Sequence, residues 1–264
     1  MKLNIAAIGI LCILSSCQNN KQKEQASDEE DTRAKELSQG IWLDDDSETV
    51  LFKIQGDTIY YADALNAPVR FDIKRDSLFM YGNEISRYRI DKLEEHIFWF
   101  HSLSDNTVKL HKSENPDDSL AFSKTFQIIP SYTEVTKRDS VVVYNGVRYR
   151  AYVYINPSKM KVTKTSYSEE GISVDNVYYD NVMHICVYEG RKSLYASDIT
   201  KKTFEGVVPQ EFLDKAILSD MNFMAVNASG FHYQASLCIP ETSVCYLINL
   251  NIDKEGKLTT AILK

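Results

Sequence analysis

Short runs of apolar residues, many of them alternating with polar ones, follow one another along the chain from Gly40 to Lys112. The runs are rich in β-branched and aromatic residues, and turn sequences such as Gln55-Gly56-Asp57 and Gly82-Asn83 separate most of them. Short strands at close, even spacing predict an antiparallel meander. Because a long meander leaves its edge strands unpaired unless it curls, we expect a small barrel or a strongly bent sheet over residues 39–113.

The pair Asn145-Gly146 predicts a hairpin in a second domain, over residues 139–264. Asn-Gly tolerates the positive φ values of a two-residue type I′ turn, so Val142 should face Tyr149 and Tyr144 should face Val147. The face that carries these residues continues through Ala151, Val153 and Ile155, while Arg148 and Arg150 project from the other side. We expect the first face to be buried and the second to be wet.

Further strands are predicted at residues 172–179, 182–188, 193–199, 231–239 and 244–252. A helix is predicted at residues 209–218, because Pro209 stands at its start and Phe212, Leu213, Ala216 and Ile217 form one apolar stripe. That helix should pack on the apolar face of the sheet. The predicted fold is therefore mostly β: the meander, a polar connector over residues 114–138, and an α+β domain of antiparallel sheet with one packed helix.

The N-terminus has the layout of a secretory signal over residues 1–16. A basic start, Met1-Lys2, precedes an apolar run over residues 5–14 that is too short to span a bilayer as a permanent helix. The following Leu14-Ser15-Ser16-Cys17 resembles a bacterial lipobox, which implies cleavage before Cys17 and acylation of that residue. An ordinary signal peptide with a chance cysteine is the alternative. Because the residues that follow are almost all polar, we expect a flexible tether over residues 17–38.

The net charge and the cysteine content bear on which partners the protein can bind and in which compartment it folds. The formal charge is −7, and loss of Lys2 with the signal makes it −8, so the mature chain should be repelled by nucleic acid. Cys186, Cys238 and Cys245 remain after the signal and the lipidated residue are set aside. The absence of a CxxC pair in the sequence argues against a zinc ribbon or a thioredoxin-type site.

Cys238 and Cys245 are candidates for a disulfide. With the turn centred between Glu241 and Thr242, the two cysteines lie opposite each other across a hairpin. Opposed Cβ atoms in a sheet are about 4.5–5.5 Å apart, which is close to disulfide spacing but wider. An oxidising compartment favours the bond, and both the bonded and the free state stay open at this point.

The sequence contains few residues in arrangements that carry catalysis. It has no GxSxG, HExxH, Walker or GxGxxG pattern, and we expect neither a cofactor nor a metal site. His184 and Cys186 share one strand face and could form a thiol and its base, but a small packed cysteine is the alternative. Asp44-Asp45-Asp46 could attract Ca²⁺, but it lacks the spacing of a calcium loop and is more typical of a solvated turn.

Three resemblances add to these predictions. Gly40-Ile41-Trp42 resembles the Gly-x-Trp opening of lipocalins and lipocalin-like lipoprotein domains, which implies that Trp42 plugs one end of a barrel; a core aromatic is the alternative. Tyr179-Asp180-Asn181, residues 199–204 and the hairpin at residues 239–242 resemble a domain of unknown function found in Bacteroidetes lipoproteins, which has no assigned activity.

The third resemblance concerns Asp followed by Ser or Thr and an aliphatic residue, which occurs four times. This pattern is similar to the acceptor motif of O-glycosylation in Bacteroidetes, and it implies modification at Thr58, Ser77, Ser119 and Ser140. Turn chemistry at strand entries explains the same pattern without a sugar.

These observations favour a lipid-anchored lipoprotein of the cell envelope, in the outer membrane, with the choice between periplasmic face and cell surface open. We expect a non-catalytic module that binds or assembles with an envelope protein, a glycan or a small ligand. The alternatives are an inhibitor or immunity lipoprotein against a toxin or wall hydrolase, whose target would be basic, and an enzyme without recognisable motifs.

Overall fold

The computed structural model describes residues 29–263. Its N-terminal part is a closed antiparallel barrel of eight strands, in which the first strand pairs with the eighth. The helix before the barrel and the eight strands are α1 (Thr32–Leu37), β1 (Gly40–Asp44), β2 (Val50–Gln55), β3 (Thr58–Tyr61), β4 (Val69–Lys74), β5 (Ser77–Tyr81), β6 (Ile85–Glu94), β7 (Ile97–His101) and β8 (Thr107–Lys112). The predicted meander is confirmed, and closure removes its two edges.

Alternating side chains fill the interior of the barrel. In β4, Phe71 and Ile73 are fully buried, whereas Asp72 and Lys74 between and after them face outward. An eight-stranded barrel has an interior just wide enough for side chains to fill it. The buried core residues are Trp42, Phe52, Ile54, Ile59, Val69, Phe71, Ile73, Leu78, Met80, Tyr88, Phe98, Phe100, Val108, Leu110 and Ile172.

Helix α1 covers one end of this barrel. The Trp42 indole nitrogen donates to the carbonyl oxygen of Ser38, just after the helix, at 2.7 Å, and Trp42 is fully buried. The Lys112 ammonium lies 5.0 Å from the centre of the Trp42 ring and donates to the Leu37 carbonyl at 3.0 Å. The pKa of Lys112 is lowered by burial. Trp42 is thus a core aromatic at the end of the barrel that the helix closes.

The tether predicted for residues 17–38 does not extend over residues 31–38. Asp31 caps helix α1 through its side chain, and its own backbone N–H donates to the Ile73 carbonyl at 2.8 Å. Lys35 forms ion pairs with Glu30 and with Asp57 in the β2–β3 turn. The segment is polar but forms a helix that contacts the barrel end through a backbone hydrogen bond, the Lys35–Asp57 ion pair and packing of Ala34.

The C-terminal part contains two sheets. The chain enters it through a 3-10 helix at Pro116–Phe122. The first sheet consists of β9 (Ile129–Pro130), β10 (Thr136–Tyr144), β11 (Val147–Tyr167), β12 (Ser173–Glu189) and β13 (Lys192–Ile199), and the second of β14 (Ile217–Asn227), β15 (Gly230–Cys238), β16 (Cys245–Ile252) and β17 (Leu258–Ile262). Neighbouring strands are antiparallel except β9, which pairs with β12 in parallel.

The two sheets share one core, and the predicted domain of antiparallel sheet with a packed helix is confirmed, with its strands divided between two sheets. Inward residues such as Val153 and Ile185 of the first sheet and Tyr233 and Leu250 of the second belong to the same buried cluster. The Tyr233 hydroxyl donates to the Cys186 carbonyl at 3.1 Å and joins the sheets. Each sheet has one apolar face, and burying both against each other removes both from water.

The hairpin register predicted from Asn145-Gly146 is confirmed. Tyr144 pairs with Val147 and Val142 with Tyr149. Asn145 and Gly146 have φ values of 49° and 78°, as a type I′ turn requires.

Helix α2 (Gln210–Lys215) is shorter than the predicted helix at residues 209–218. Leu213 is buried in the shared core, so the predicted packing of this helix is correct. Ala216 already has an extended conformation, and Ile217 begins β14. The helical spacing of Phe212, Leu213, Ala216 and Ile217 predicts one helix, but Ala216 and Ile217 are buried where the chain enters a strand.

The tip of the β11–β12 hairpin closes the other end of the barrel. Ile172 lies in the barrel core although it belongs to this hairpin. The Ser173 N–H donates to the Tyr88 hydroxyl at 2.7 Å, and the Tyr61 hydroxyl donates to the Ser173 carbonyl at 3.0 Å. Gly171, with a φ of 78°, permits the approach, since a Cβ there would lie 3.0 Å from the Cβ of Ser102. We call residues 171–173 the barrel plug.

Candidate interaction surface

The outer face of the first C-terminal sheet carries an aromatic cluster. Along β11 the inward residues Ala151 and Val153 are buried, so Tyr152 and Tyr154 between and after them point to the opposite face. The neighbouring strand places Cys186 opposite Tyr152 and His184 opposite Tyr154. Tertiary burial of one face thus fixes which side chains the other face presents.

The rings of this cluster contact one another. Tyr152 and Tyr154 stack with centroids 6.0 Å apart and an interplanar angle of 12°. Tyr188 meets Tyr152 edge-on at 6.0 Å, and the His184 ring lies 6.1 Å from Tyr154. We call Tyr152, Tyr154, His184 and Tyr188 the tyrosine cluster.

Charged side chains frame the tyrosine cluster. The Arg150 guanidinium lies 4.8 Å from the centre of the Tyr152 ring and makes a bidentate contact with Asp139. This hydrogen bond lowers the pKa of the Asp139 carboxyl. On the next row Lys137 lies 5.6 Å from the Tyr154 ring, and His184 Nδ1 is 2.7 Å from an Asp198 carboxylate oxygen.

One edge of the same face, formed by β10, is apolar. Val141 and Val143 of β10 are 50% and 67% exposed, and Val141 pairs with Arg150. A face that combines tyrosines, arginine and exposed aliphatic residues has the composition typical of protein interfaces. The arrangement can therefore supply contact area, stacking and oriented charge.

Cys186 and His184 do not form a nucleophile and its base. Cys186 is buried beneath the tyrosine cluster, and burial raises the pKa of its thiol, which disfavours the reactive thiolate. His184 is engaged with Asp198 instead. The packed-cysteine alternative therefore describes this pair.

Cys238 and Cys245 are joined in a disulfide. They pair directly across the β15–β16 hairpin, and their Cα atoms are 4.1 Å apart. The Ser219 hydroxyl on the adjacent strand lies 3.2 Å from the Cys238 sulfur.

The four residues of the glycosylation motif differ in accessibility. Ser119 is exposed in the 3-10 helix of the connector, Thr58 is half-buried at the start of β3, and Ser140 is half-buried in the middle of β10 rather than at a strand entry. Ser77 is fully buried, and its hydroxyl lies between Asp76 and Arg87, so the folded chain does not present it to an enzyme. Cys17, the predicted lipidation site, lies outside the described residues.

Within residues 29–263 the acidic run Asp44-Asp45-Asp46 forms part of a turn. The Asp44 carboxylate accepts hydrogen bonds from the backbone N–H groups of Asp46 and Ser47, which makes this segment a self-capped turn. No group of three or more His, Cys, Asp or Glu side chains in this part of the chain is arranged to hold a metal ion. None of the helices described in the same range is both long and apolar enough to cross a membrane.

Two of the segments that resemble a known domain, Tyr179-Asp180-Asn181 and residues 199–204, meet in space. Asp180 is buried, and one of its oxygens accepts from the backbone N–H groups of Leu218 and Asn181. Lys201 lies 3.8 Å from the other oxygen and donates to the carbonyls of Leu213 and Ala216 at the end of α2. Burial raises the pKa of Asp180 and lowers the pKa of Lys201. This network joins β12, α2 and β14.

The fold and its surface define a protein of two β-rich parts, an eight-stranded barrel and a two-sheet domain with a half-buried tyrosine cluster on its outer face. The chain matches the family described as Domain of unknown function (DUF4738) over residues 115–260, and it belongs to that family. The match covers the connector and both sheets and leaves the barrel outside. No curated protein matches the chain.

Proposed function

We propose that this protein is a non-catalytic binding module, held at the bacterial cell envelope by a lipid on Cys17, and that the tyrosine cluster meets a protein partner. The observation that carries the proposal is this outer face, on which half-buried tyrosines lie beside the exposed Val141 and Val143. Tyrosines are enriched at protein interfaces because each supplies a large apolar area with a polar tip and few rotatable bonds.

The place where the barrel begins supports the anchoring part of the proposal. Residues 18–29 would link Cys17 to the end of the barrel that α1 covers, and twelve residues span at most about 40 Å. The barrel plug lies at the opposite end, so the two-sheet domain would stand on the far side of the barrel from the lipid. Tethering near a membrane would raise the effective concentration of the surface toward an envelope partner.

The filled interior of the barrel suggests a supporting role. Residues from Trp42 at one end to Ile172 at the other occupy the space in which a lipocalin-like barrel would hold a ligand. We infer that this lipocalin-like barrel serves as a rigid base for the two-sheet domain.

Two experiments test the proposal. Replacement of Cys17 with Ala should release the protein from the membrane fraction and remove the lipid mass; a variant that stays in the membrane with unchanged mass would place the anchor elsewhere.

For the surface, a photo-crosslinking residue is introduced in place of Tyr154 in the native host. The control carries it in place of Met160, an exposed residue of the same strand outside the cluster. We expect a discrete crosslinked partner from position 154 and none from position 160. Identical products from both positions would contradict the assignment of the surface.

A further inference from the structure

A second candidate site lies on the outside of the barrel, where the connector crosses it. A cleft of about 360 Å³ opens between the outward face of β2–β3, the β3–β4 loop and the segment after the 3-10 helix. Pockets for small ligands usually have volumes of several hundred Å³ and occur preferentially at domain boundaries. This cleft is remote from the tyrosine cluster, since it lies on the barrel.

Aromatic rings and an ammonium group form its walls. Lys53 pairs with Tyr60 across the two strands, and its ammonium lies 5.2 Å from the Tyr60 ring and 5.3 Å from the Phe122 ring. Phe126 of the connector adds a third aromatic side chain to the lining. The Lys53 charge is therefore held in place by two rings.

The charge balance of the cleft is opposite to that of the whole chain. Lys53 and Lys124 line it, and Asp63 is its one carboxylate, while the chain carries a formal charge of −7. One Asp63 oxygen already accepts a hydrogen bond from the Leu65 N–H at 2.9 Å. Among the ion pairs of the described residues neither lysine has a carboxylate partner within 4.0 Å, so the cleft presents positive charge to a ligand.

The cleft is held open by contacts from both sides. The Gln127 N–H of the connector donates to the Ala64 carbonyl at 2.8 Å. On the other side of the loop the Ala67 N–H donates to the Asp175 carbonyl at 2.7 Å, and the Asn176 amide donates to the Leu65 carbonyl. A preformed site requires little ordering when a ligand binds.

We propose that this cleft binds an acidic sugar, a pyranose ring that carries a carboxylate. Because the Lys53 ammonium lies over the Tyr60 and Phe122 rings, the C–H face of the sugar would lie against the third aromatic side chain, Phe126, and its carboxylate would pair with Lys53. Gln55 and Asn66 in the lining can exchange hydrogen bonds with hydroxyl groups. The three charged side chains of the lining, Lys53, Lys124 and Asp63, sum to one positive charge; a singly charged carboxylate balances it, whereas a doubly charged phosphate would leave one negative charge unpaired, which favours a uronate over a sugar phosphate.

The test uses the folded full-length chain, in which Cys17 is replaced by Ser to prevent acylation. This protein is titrated with galacturonate oligosaccharides, and binding is followed by calorimetry. Galactose oligosaccharides of the same length, acetate and galactose phosphate are the comparison probes. Lys53→Met removes the charge and keeps most of the side-chain length, and Lys53→Arg keeps the charge. Lys92→Met is the matched control, because the Lys92 ammonium also lies over an aromatic ring, that of Trp99, at 5.4 Å but outside this cleft.

We expect the uronate to bind, and Lys53→Met to weaken it by roughly tenfold or more, since a hydrogen-bonded charge contact is lost. Lys53→Arg and Lys92→Met should bind within about twofold of the parent chain. Equal binding of the neutral sugar would refute the charge contact, and displacement by acetate alone would refute the stacking contact. Tighter binding of galactose phosphate, or no binding of any probe, would overturn the proposal.

Discussion

The barrel plug makes a quantitative prediction about how the two parts of the chain stabilise each other. Ile172 is 4% exposed and is packed in the barrel core, yet it is brought there by the β11–β12 hairpin. Replacement of Ile172 with Ala removes apolar contacts from the barrel without changing any residue of the barrel itself. If the plug contributes to barrel stability, the barrel should lose stability in this variant.

The size of the effect follows from the buried atoms. Burial of one CH₂ group contributes about 0.8 kcal/mol, and Ile→Ala changes in cores cost about 2–5 kcal/mol once the cavity is included. Because a hairpin turn can relax more readily than a strand inside a barrel, we expect about 3 kcal/mol. For a unit of this size, with a urea m value of about 1–1.5 kcal/mol/M, the midpoint should fall by roughly 2 M or more.

The two tryptophans make the assay specific, because Trp42 and Trp99 both lie in barrel strands. Their fluorescence during urea denaturation reports unfolding of the barrel. Unfolding of the two-sheet domain is followed by the reactivity of the buried Cys186 thiol, in a chain whose Cys12 and Cys17 are replaced by Ser. The control is Tyr167→Ala, which truncates a larger side chain in the same hairpin where it is 59% exposed.

The barrel midpoint should fall in Ile172→Ala and stay close to the parent value in Tyr167→Ala. A second variant, Tyr88→Phe, removes the hydroxyl that accepts from the Ser173 N–H and should cost about 1–3 kcal/mol, because a buried donor loses its acceptor. A fluorescence midpoint that is the same in Ile172→Ala and the parent would refute the coupling of the barrel to the hairpin.

Three further predictions concern the two-sheet domain and the connector. Reduction of the Cys238–Cys245 disulfide should destabilise the fold by about 2.5 kcal/mol or less, since the loop is short; a denaturation midpoint unchanged by reductant would contradict this. Burial raises the folded-state pKa of Asp180, so its contribution to stability is present in acid and is lost as pH rises through that pKa. Asp180→Asn should therefore lower the free energy of unfolding more at pH 4 than at pH 7. A loss that grows with pH would refute the assignment. In a host with the O-glycosylation pathway, Ser119→Ala should remove a sugar mass from the native protein, whereas Ser77→Ala should not; intact mass spectrometry decides, and the opposite pattern would contradict the accessibility argument.

Local sequence signals predicted much of the secondary structure. The Asn145-Gly146 turn determines the register of its hairpin because the positive φ values at both positions leave few ways to join the strands. Counting residues outward from the turn between Glu241 and Thr242 likewise predicted that Cys238 lies opposite Cys245. The alternation that puts Arg148 and Arg150 on the solvent-facing side of the strand also puts Tyr152 and Tyr154 there, so the sequence carries a signal for the tyrosine cluster as well.

The long-range arrangement depended on contacts between residues far apart in the chain. Closure of the barrel pairs Trp42 with Lys112, and the plug brings Ser173 to Tyr88. Neither contact leaves a periodic signal in the sequence between the two residues. Helix α1 was not predicted because its contacts with the barrel end, such as the Asp31 hydrogen bond to Ile73 and the packing of Ala34, are long-range, and a polar segment has no apolar stripe to reveal it. The division into two sheets was missed because alternation shows that a strand has a buried face but not which other face covers it; only tertiary packing makes that choice.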